Sequence, residues 1–147
     1  MATGSWIDDP CPIARTMSVL GQRWAVLILR EAMLGRSRFS EFRKQLGIAS
    51  DVLSTRLSEL VDAGILEVVD YQEPGDRVRS RYVLTEAGHD LAPVLAALGQ
   101  WGHDHLTHPG SSGYRFVEAD TGEPLALRFG RRDGSSVPVP RVSLVGG

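Results

Sequence analysis

Between Cys11 and Leu106 the apolar residues recur every three or four positions in five stretches, and two β-rich runs stand between the fourth and the fifth. The first spacing predicts helices and the paired runs predict a hairpin. In the first stretch Ile13, Met17 and Leu20 share one side. Cys11-Pro12 opens that helix, with proline suited to a first turn, and Gly21 breaks it. Gln22 to Leu34 is apolar nearly all round (Trp24 to Leu29, Ala32, Met33), as expected of a core helix buried on most sides and ended by Gly35. A short helix over about Arg38 to Gln45 places Phe39, Phe42 and Leu46 together. After the tight link Leu46-Gly47-Ile48-Ala49 comes a helix over Ser50 to Ala63, with Leu53, Leu57 and Leu60 as its apolar stripe. Ser50 suits its N-cap, Asp51 suits the positive end of the helix dipole, and Gly64 is placed to end it in a left-handed conformation. Two short helices joined by a glycine turn predict a helix-turn-helix.

Ile65 to Tyr71 and Val78 to Leu84 are the β-rich runs, joined by Gln72 to Asp76 with its Pro-Gly turn. Helix, helix and basic hairpin predict a winged helix, mainly α with a β-wing. Thr85 can cap a long helix over Glu86 to about Leu106, which Pro93 should kink or delay. Leu91, Val94, Leu98, Trp101 and His105 follow a 3-4-3-4 spacing there, the spacing of a coiled-coil seam. An ordinary core-facing stripe would look the same. Earlier helices already supply a core, which favours a partner chain over that stripe.

Beyond Leu106 the pattern changes. Pro109 to Gly113 reads as a linker. Tyr114 to Glu118, Leu125 to Phe129 and Val137 to Leu144 read as three short strands of a hairpin or meander, the third weakened by Pro138 and Pro140. Such a sheet is too small to stand alone and should pack on the rest of the chain or on a second subunit. The expected organisation is a disordered stretch at 1–10, a winged-helix and dimerisation domain at 11–106, and an extension at 107–147.

Charge sharpens the picture. The net charge is −2, yet from Arg15 to Arg56 eight basic residues face only three acidic ones. A local basic surface matters more for nucleic acid than the whole-chain sum. The outward side of the Ser50–Ala63 helix offers Ser54, Thr55, Arg56 and Ser58, small and hydroxylated enough to approach a groove. Ser50, Asp51, Ser54 and Thr55 are the candidate contacts to bases or nearby phosphates, Asp51 having helix stabilisation as its competing role. Arg56 is a candidate phosphate anchor. Arg38 and Ser40, at the start of the preceding helix, are candidate backbone grips, and Arg77 and Arg79 are candidates for the flanking minor groove. Partners expected are double-stranded DNA, a second copy, and an unidentified small-molecule effector. No cofactor and no membrane are expected. No apolar run approaches spanning length and the first residues do not read as a secretory signal, so the expected location is cytoplasmic.

Other chemistries find little support. His103, Asp104, His105 and His108 invite a metal reading, but on a helix His103 and His105 diverge and no cysteine ligand or HExxH motif accompanies them. The single cysteine, Cys11, excludes an internal disulfide framework. At a helix start its thiol can be activated, with Arg15 four residues on. It reads either as a redox sensor or as a small buried structural residue. A protein-interaction winged helix without DNA binding is the alternative class, and should show apolar residues on its outward recognition face.

Together, Cys11-Pro12, Gly21-x-Arg23-Trp24, Arg38-Phe39, Leu53-x-x-Arg56-Leu57, Ala63-Gly64-Ile65-Leu66 and Tyr82-x-Leu84-Thr85 resemble the HxlR-type winged helix-turn-helix regulators of bacteria. The resemblance covers about Cys11 to His105. It implies a homodimeric transcriptional regulator acting on inverted-repeat operator DNA, not an enzyme. It also implies a dimer interface built from the first and last helices, which places Ile13, Met17, Leu91, Val94, Leu98 and Trp101 there. Some regulators of this kind sense oxidants or electrophiles through a cysteine at the position of Cys11. Members commonly end soon after the last helix, so Thr107 to Gly147 departs from the pattern.

Overall fold

The computed structural model describes residues 6–106, 108–110 and 113–146. They form two compact units, Met1–Ala92 and Pro93–Gly147. The long C-terminal helix therefore groups with the extension, where a boundary near residue 106 was expected.

The first unit is a winged helix. Its helices are α1 (Pro12–Leu20), α2 (Arg23–Met33), α3 (Phe39–Leu46), α4 (Ser50–Asp62) and the short α5 (Glu86–His89), with β1 (Leu66–Tyr71) and β2 (Arg79–Leu84) as the wing. The core is where the apolar periodicity puts it. Ile28 and Leu29 of α2, Phe42 of α3, Leu53, Leu57 and Leu60 of α4 and Leu66 of β1 are its fully buried large side chains. No residue of α2 from Trp24 to Met33 is exposed, as its all-round apolar composition requires. Glu31, which hydrophobic patterning passes over, is buried there too. Its carboxylate pairs with Arg30 at 2.8 Å and Arg36 at 3.9 Å, and its carbonyl accepts from the Arg36 amide, which fixes the turn into α3.

Glycines at positive φ end the helices that carry the motif: Gly47 at 61° after α3 and Gly64 at 73° after α4. The strands pair antiparallel from Leu66 opposite Leu84 to Tyr71 opposite Arg79. A backbone bond from the Tyr82 amide to the Ser37 carbonyl, 2.7 Å, ties the returning strand to the turn that leads into α3. Thr85 closes the unit: its hydroxyl accepts from the Gly88 amide at 3.1 Å and donates to the Gly64 carbonyl at 2.5 Å.

Several expectations need correction. Ser50 is the first residue of α4, not its cap; Ala49 occupies the cap position and offers no side-chain bond. Residues 1–5 of the stretch expected to be disordered lie outside the described residues, but Trp6–Asp8 forms a 3-10 turn. The Asp9 carboxylate accepts the Cys11 amide at 2.8 Å and steadies the entry to α1. The long helix from Glu86 is two helices, α5 and α6 (Ala92–His105). Pro93 cannot donate to the residue 89 carbonyl and would clash with it, so the helix stops and restarts with proline in its first turn.

The second unit holds α6 and, beyond it, little regular structure. The expected strand at 114–118 reduces to a single bridge, Val117 opposite Pro124. The other two shrink to β3 (Phe129–Gly130) and β4 (Ser136–Val137), followed by a 3-10 turn at Val139–Arg141. Pro124, Pro138 and Pro140 each lack the amide that a longer ladder would need. Gly122 and Gly134, at φ 72° and 85°, make left-handed turns in this segment.

Candidate nucleic-acid interface

The two sides of α4 differ sharply in chemistry. Leu53, Leu57 and Leu60 are buried, while Ser50, Asp51, Ser54, Thr55 and Ser58 are exposed. Glu59 and Asp62 are exposed as well, and no apolar residue of α4 is. The Thr55 hydroxyl donates to the Asp51 carbonyl at 3.0 Å, which leaves its oxygen lone pairs and methyl facing outward. With no side chain capping it, the first turn of α4 keeps amides available to an anion.

Arg56 sits differently from its expected role. It is half-buried, bonded to Glu59 at 2.6 Å, and its Nε is buried without a partner. A phosphate would have to compete with Glu59 for this guanidinium.

At the start of α3 the Glu41 carboxylate accepts the Ser37 and Arg38 amides, each at 2.9 Å. Those two bonds hold its carboxyl below the usual carboxylate range. Arg38 reaches across to the wing, 2.8 Å from Glu73, with its guanidinium 5.0 Å from the centre of the Tyr71 ring. The Glu73 bond and then Tyr71 raise its pKa further. One side chain thus links the beginning of α3 to the wing. Ser40, Arg43 and Lys44 are exposed and line a shallow open groove with Phe39. Arg43 and Lys44 were counted only as part of the basic surplus; their spacing from Ser40 along one helix was the signal that could have singled them out.

Arg77 lies in the exposed wing tip, and Arg79 opens β2. Two residues apart on a strand, Arg79 and Arg81 share a face with Tyr71, whose ring lies 5.9 Å from the Arg81 guanidinium. Tyr71 is a residue the sequence reading left out. It is flanked by Arg38 and Arg81, and orients both. On the opposite face Ser80 donates to Asp70 at 2.9 Å across the two strands.

The residues assigned to self-association are uncovered in their own units. Ile13 and Met17 of α1 are exposed, as are Val94, Leu98 and Trp101 of α6, while Leu91 precedes α6 and is half-buried. Pro93, Val94, Ala97, Leu98 and Trp101 line an apolar groove of about 480 Å³. Cys11 is exposed, not buried, and Arg15 donates to the Asp9 and Pro10 carbonyls at 2.7 and 3.0 Å. Among the described residues no group of three His, Cys, Asp or Glu could hold a metal ion, and no helix is long and apolar enough to cross a membrane.

A helix-turn-helix followed by a basic two-stranded wing defines a winged helix-turn-helix protein. The chain belongs to the HxlR-like helix-turn-helix family, whose model matches residues 19–109, and that family comprises transcriptional regulators. It is similar to Rv3095 of Mycobacterium tuberculosis, an uncharacterised HTH-type transcriptional regulator, with 42% identity over 97 residues, 66% of this chain and 60% of that relative. The match therefore spans less than two thirds of that protein. YdeP of Bacillus subtilis is 32% identical over 98 residues, 66% of this chain and 75% of its own length. Among solved structures, the candidate transcription factor PA1607 superimposes with a TM-score of 0.81 at 37% identity, over 96% of this chain and 98% of its own. The reduced form of the redox regulator HypR matches with a TM-score of 0.58 at 29% identity, over 64% of this chain and 92% of its own.

Proposed function

We propose that the protein is a sequence-specific DNA-binding regulator that acts as a homodimer on inverted-repeat operator DNA. The observation that carries this reading is the outward side of α4: its seven exposed residues are all polar or acidic, none apolar, over a stripe of buried leucines. A winged helix that docked on protein would offer apolar anchors on that side. In the proposed docking α4 enters the major groove. Ser50, Asp51, Ser54 and Thr55 face bases or nearby phosphates, and the amides at the start of α4 favour a phosphate. Arg38, Ser40, Arg43 and Lys44 grip the backbone from α3. Arg77 and Arg79 reach the flanking minor groove or its phosphates. Two copies related by a two-fold axis meet half-sites about one helical turn, or a multiple of it, apart. The uncovered stripes of α1 and α6 are the surfaces that would join them.

Selection of bound sequences from random duplex DNA tests this directly. A palindromic consensus is the expected result. Recovery of no preferred sequence, with binding that depends only on salt, would overturn sequence-specific reading.

The exposed thiol of Cys11 at the entry to α1 supports a second, compatible reading, in which its oxidation alters DNA release. Cys11→Ser should then bind DNA normally and lose an oxidant response that the natural chain shows. Equal behaviour of the two under oxidant sinks this reading.

A further inference from the structure

The junction of α3 and the wing holds more positive charge than its carboxylates cover. The Arg38 guanidinium lies 5.0 Å from the centre of the Tyr71 ring, and that of Arg81 lies 5.9 Å from it. Register adds a third cation to this face, because Arg79 stands directly opposite Tyr71 on the neighbouring strand. Two nearby acids are engaged elsewhere. Glu41 takes the Ser37 and Arg38 amides, and Asp70 takes the Ser80 hydroxyl on the other face of the wing. Glu67 lies further along the face and makes no ion pair with these arginines. Among the described residues, the one carboxylate that touches the group is Glu73, 2.8 Å from Arg38.

These cations are held in place. The Glu41 capping contact fixes the Arg38 backbone at the start of α3. The negative face of the Tyr71 ring attracts both guanidiniums and keeps two like charges near one point. An anion that accepts from both would relieve their repulsion, and a phosphodiester has the several acceptor oxygens this needs. Glu73 supplies one such anion, but its hold is weak. The side chains of Arg38 and Glu73 are 45% and 56% exposed, and an ion pair so open to water is cheaply broken.

We propose that Arg38 and Arg81, set around the Tyr71 ring, bind one backbone phosphate of duplex DNA, and that Glu73 keeps the place of that phosphate until DNA displaces it. This rests on the DNA-binding reading above and adds to it Arg81 as a contact, Tyr71 as a positioning residue and Glu73 as a competitor within the chain. Glu73 lies in the turn between β1 and β2, so its release also unties that turn from α3 as DNA arrives.

The test measures binding of the full chain to its selected operator and to an unrelated duplex across a salt series. Glu73→Gln should tighten both about two- to fivefold and steepen the salt dependence by about one phosphate. Asp76→Asn makes the same change of charge three residues further along the turn and should do much less. In an Arg38→Ala background Glu73→Gln should have no effect. Tyr71→Leu should weaken binding to all sequences alike, while Tyr71→Phe keeps the ring face and should bind as the natural chain does. Circular dichroism and melting check that each variant is folded. Unchanged or weaker binding by Glu73→Gln overturns the proposal. So does equal tightening by Asp76→Asn, or by Glu73→Gln without Arg38, since either would show a general effect of charge. A Tyr71→Phe variant as weak as Tyr71→Leu removes the ring from the site and overturns it too. All of these leave the DNA-binding reading standing; a natural chain that binds neither duplex overturns both.

Discussion

Glu41 shows how one side chain can set both structure and a pH response. It accepts the Ser37 and Arg38 amides, two backbone donors at the entry to α3. Because these bonds favour the ionised form, its pKa in the folded chain is lowered. The stability it contributes is therefore present above the ordinary glutamate value of about 4.3 and is lost as pH falls through the lower folded value. Glu41→Gln should make the acid limb of stability shallower, as followed by urea midpoints between about pH 3 and 6. Identical acid limbs would show that these bonds carry no pH dependence. Arg56 gives a second prediction at this scale. Glu59 holds its guanidinium at 2.6 Å. If Arg56 also meets a phosphate, Glu59→Gln should strengthen binding to any duplex and steepen its salt dependence by about one phosphate. Unchanged salt dependence would leave Arg56 a purely structural residue.

Among the elements, α4 combines a structural side with a recognition side, and the two can be tested apart. Leu57→Ala should cost about 2–5 kcal/mol of stability through the cavity it leaves, measured by chemical denaturation. Gly88→Ala should also destabilise, because a Cβ there meets the Ile65 carbonyl and the Leu84 side chain, and backbone has little room to yield. Retention of full stability by Gly88→Ala would mean that α5 shifts freely away from β1. The helix-turn-helix and wing could be read from the sequence because local signals agree: leucines at 53, 57 and 60, glycines at 47, 64 and 75, and alternating arginines at 79 and 81. The cap at Ala49 could not, since cap position depends on backbone angles and Ser50 has the better capping side chain. The bond between Tyr82 and Ser37 joins two backbones and leaves no trace in side-chain pattern. The buried Glu31 broke the usual rule for acids, and the arginines that compensate it stand beside it and five residues on. In the extension, β-rich composition predicted longer strands than the prolines allow.

At the scale of the whole molecule, the proposed DNA reading depends on self-association. Trp101 is 58% exposed on α6, and Trp101→Asp should weaken dimerisation by placing a charge in a desolvated contact. Sedimentation at micromolar concentration checks this, and a variant that associates like the natural chain would remove α6 from the interface. Weaker dimers should also bind an inverted repeat less tightly, since the second half-site then binds as a separate event. The most direct test of the central claim is a salt titration of binding to the duplex recovered by selection, comparing two double variants with the natural chain. Arg77→Ala/Arg79→Ala should weaken binding to all sequences alike and reduce the salt slope by about two phosphates. Ser54→Ala/Thr55→Ala should keep the slope and change which sequence is preferred. If both double variants bind the selected operator as the natural chain does, α4 and the wing are not the DNA-reading surface.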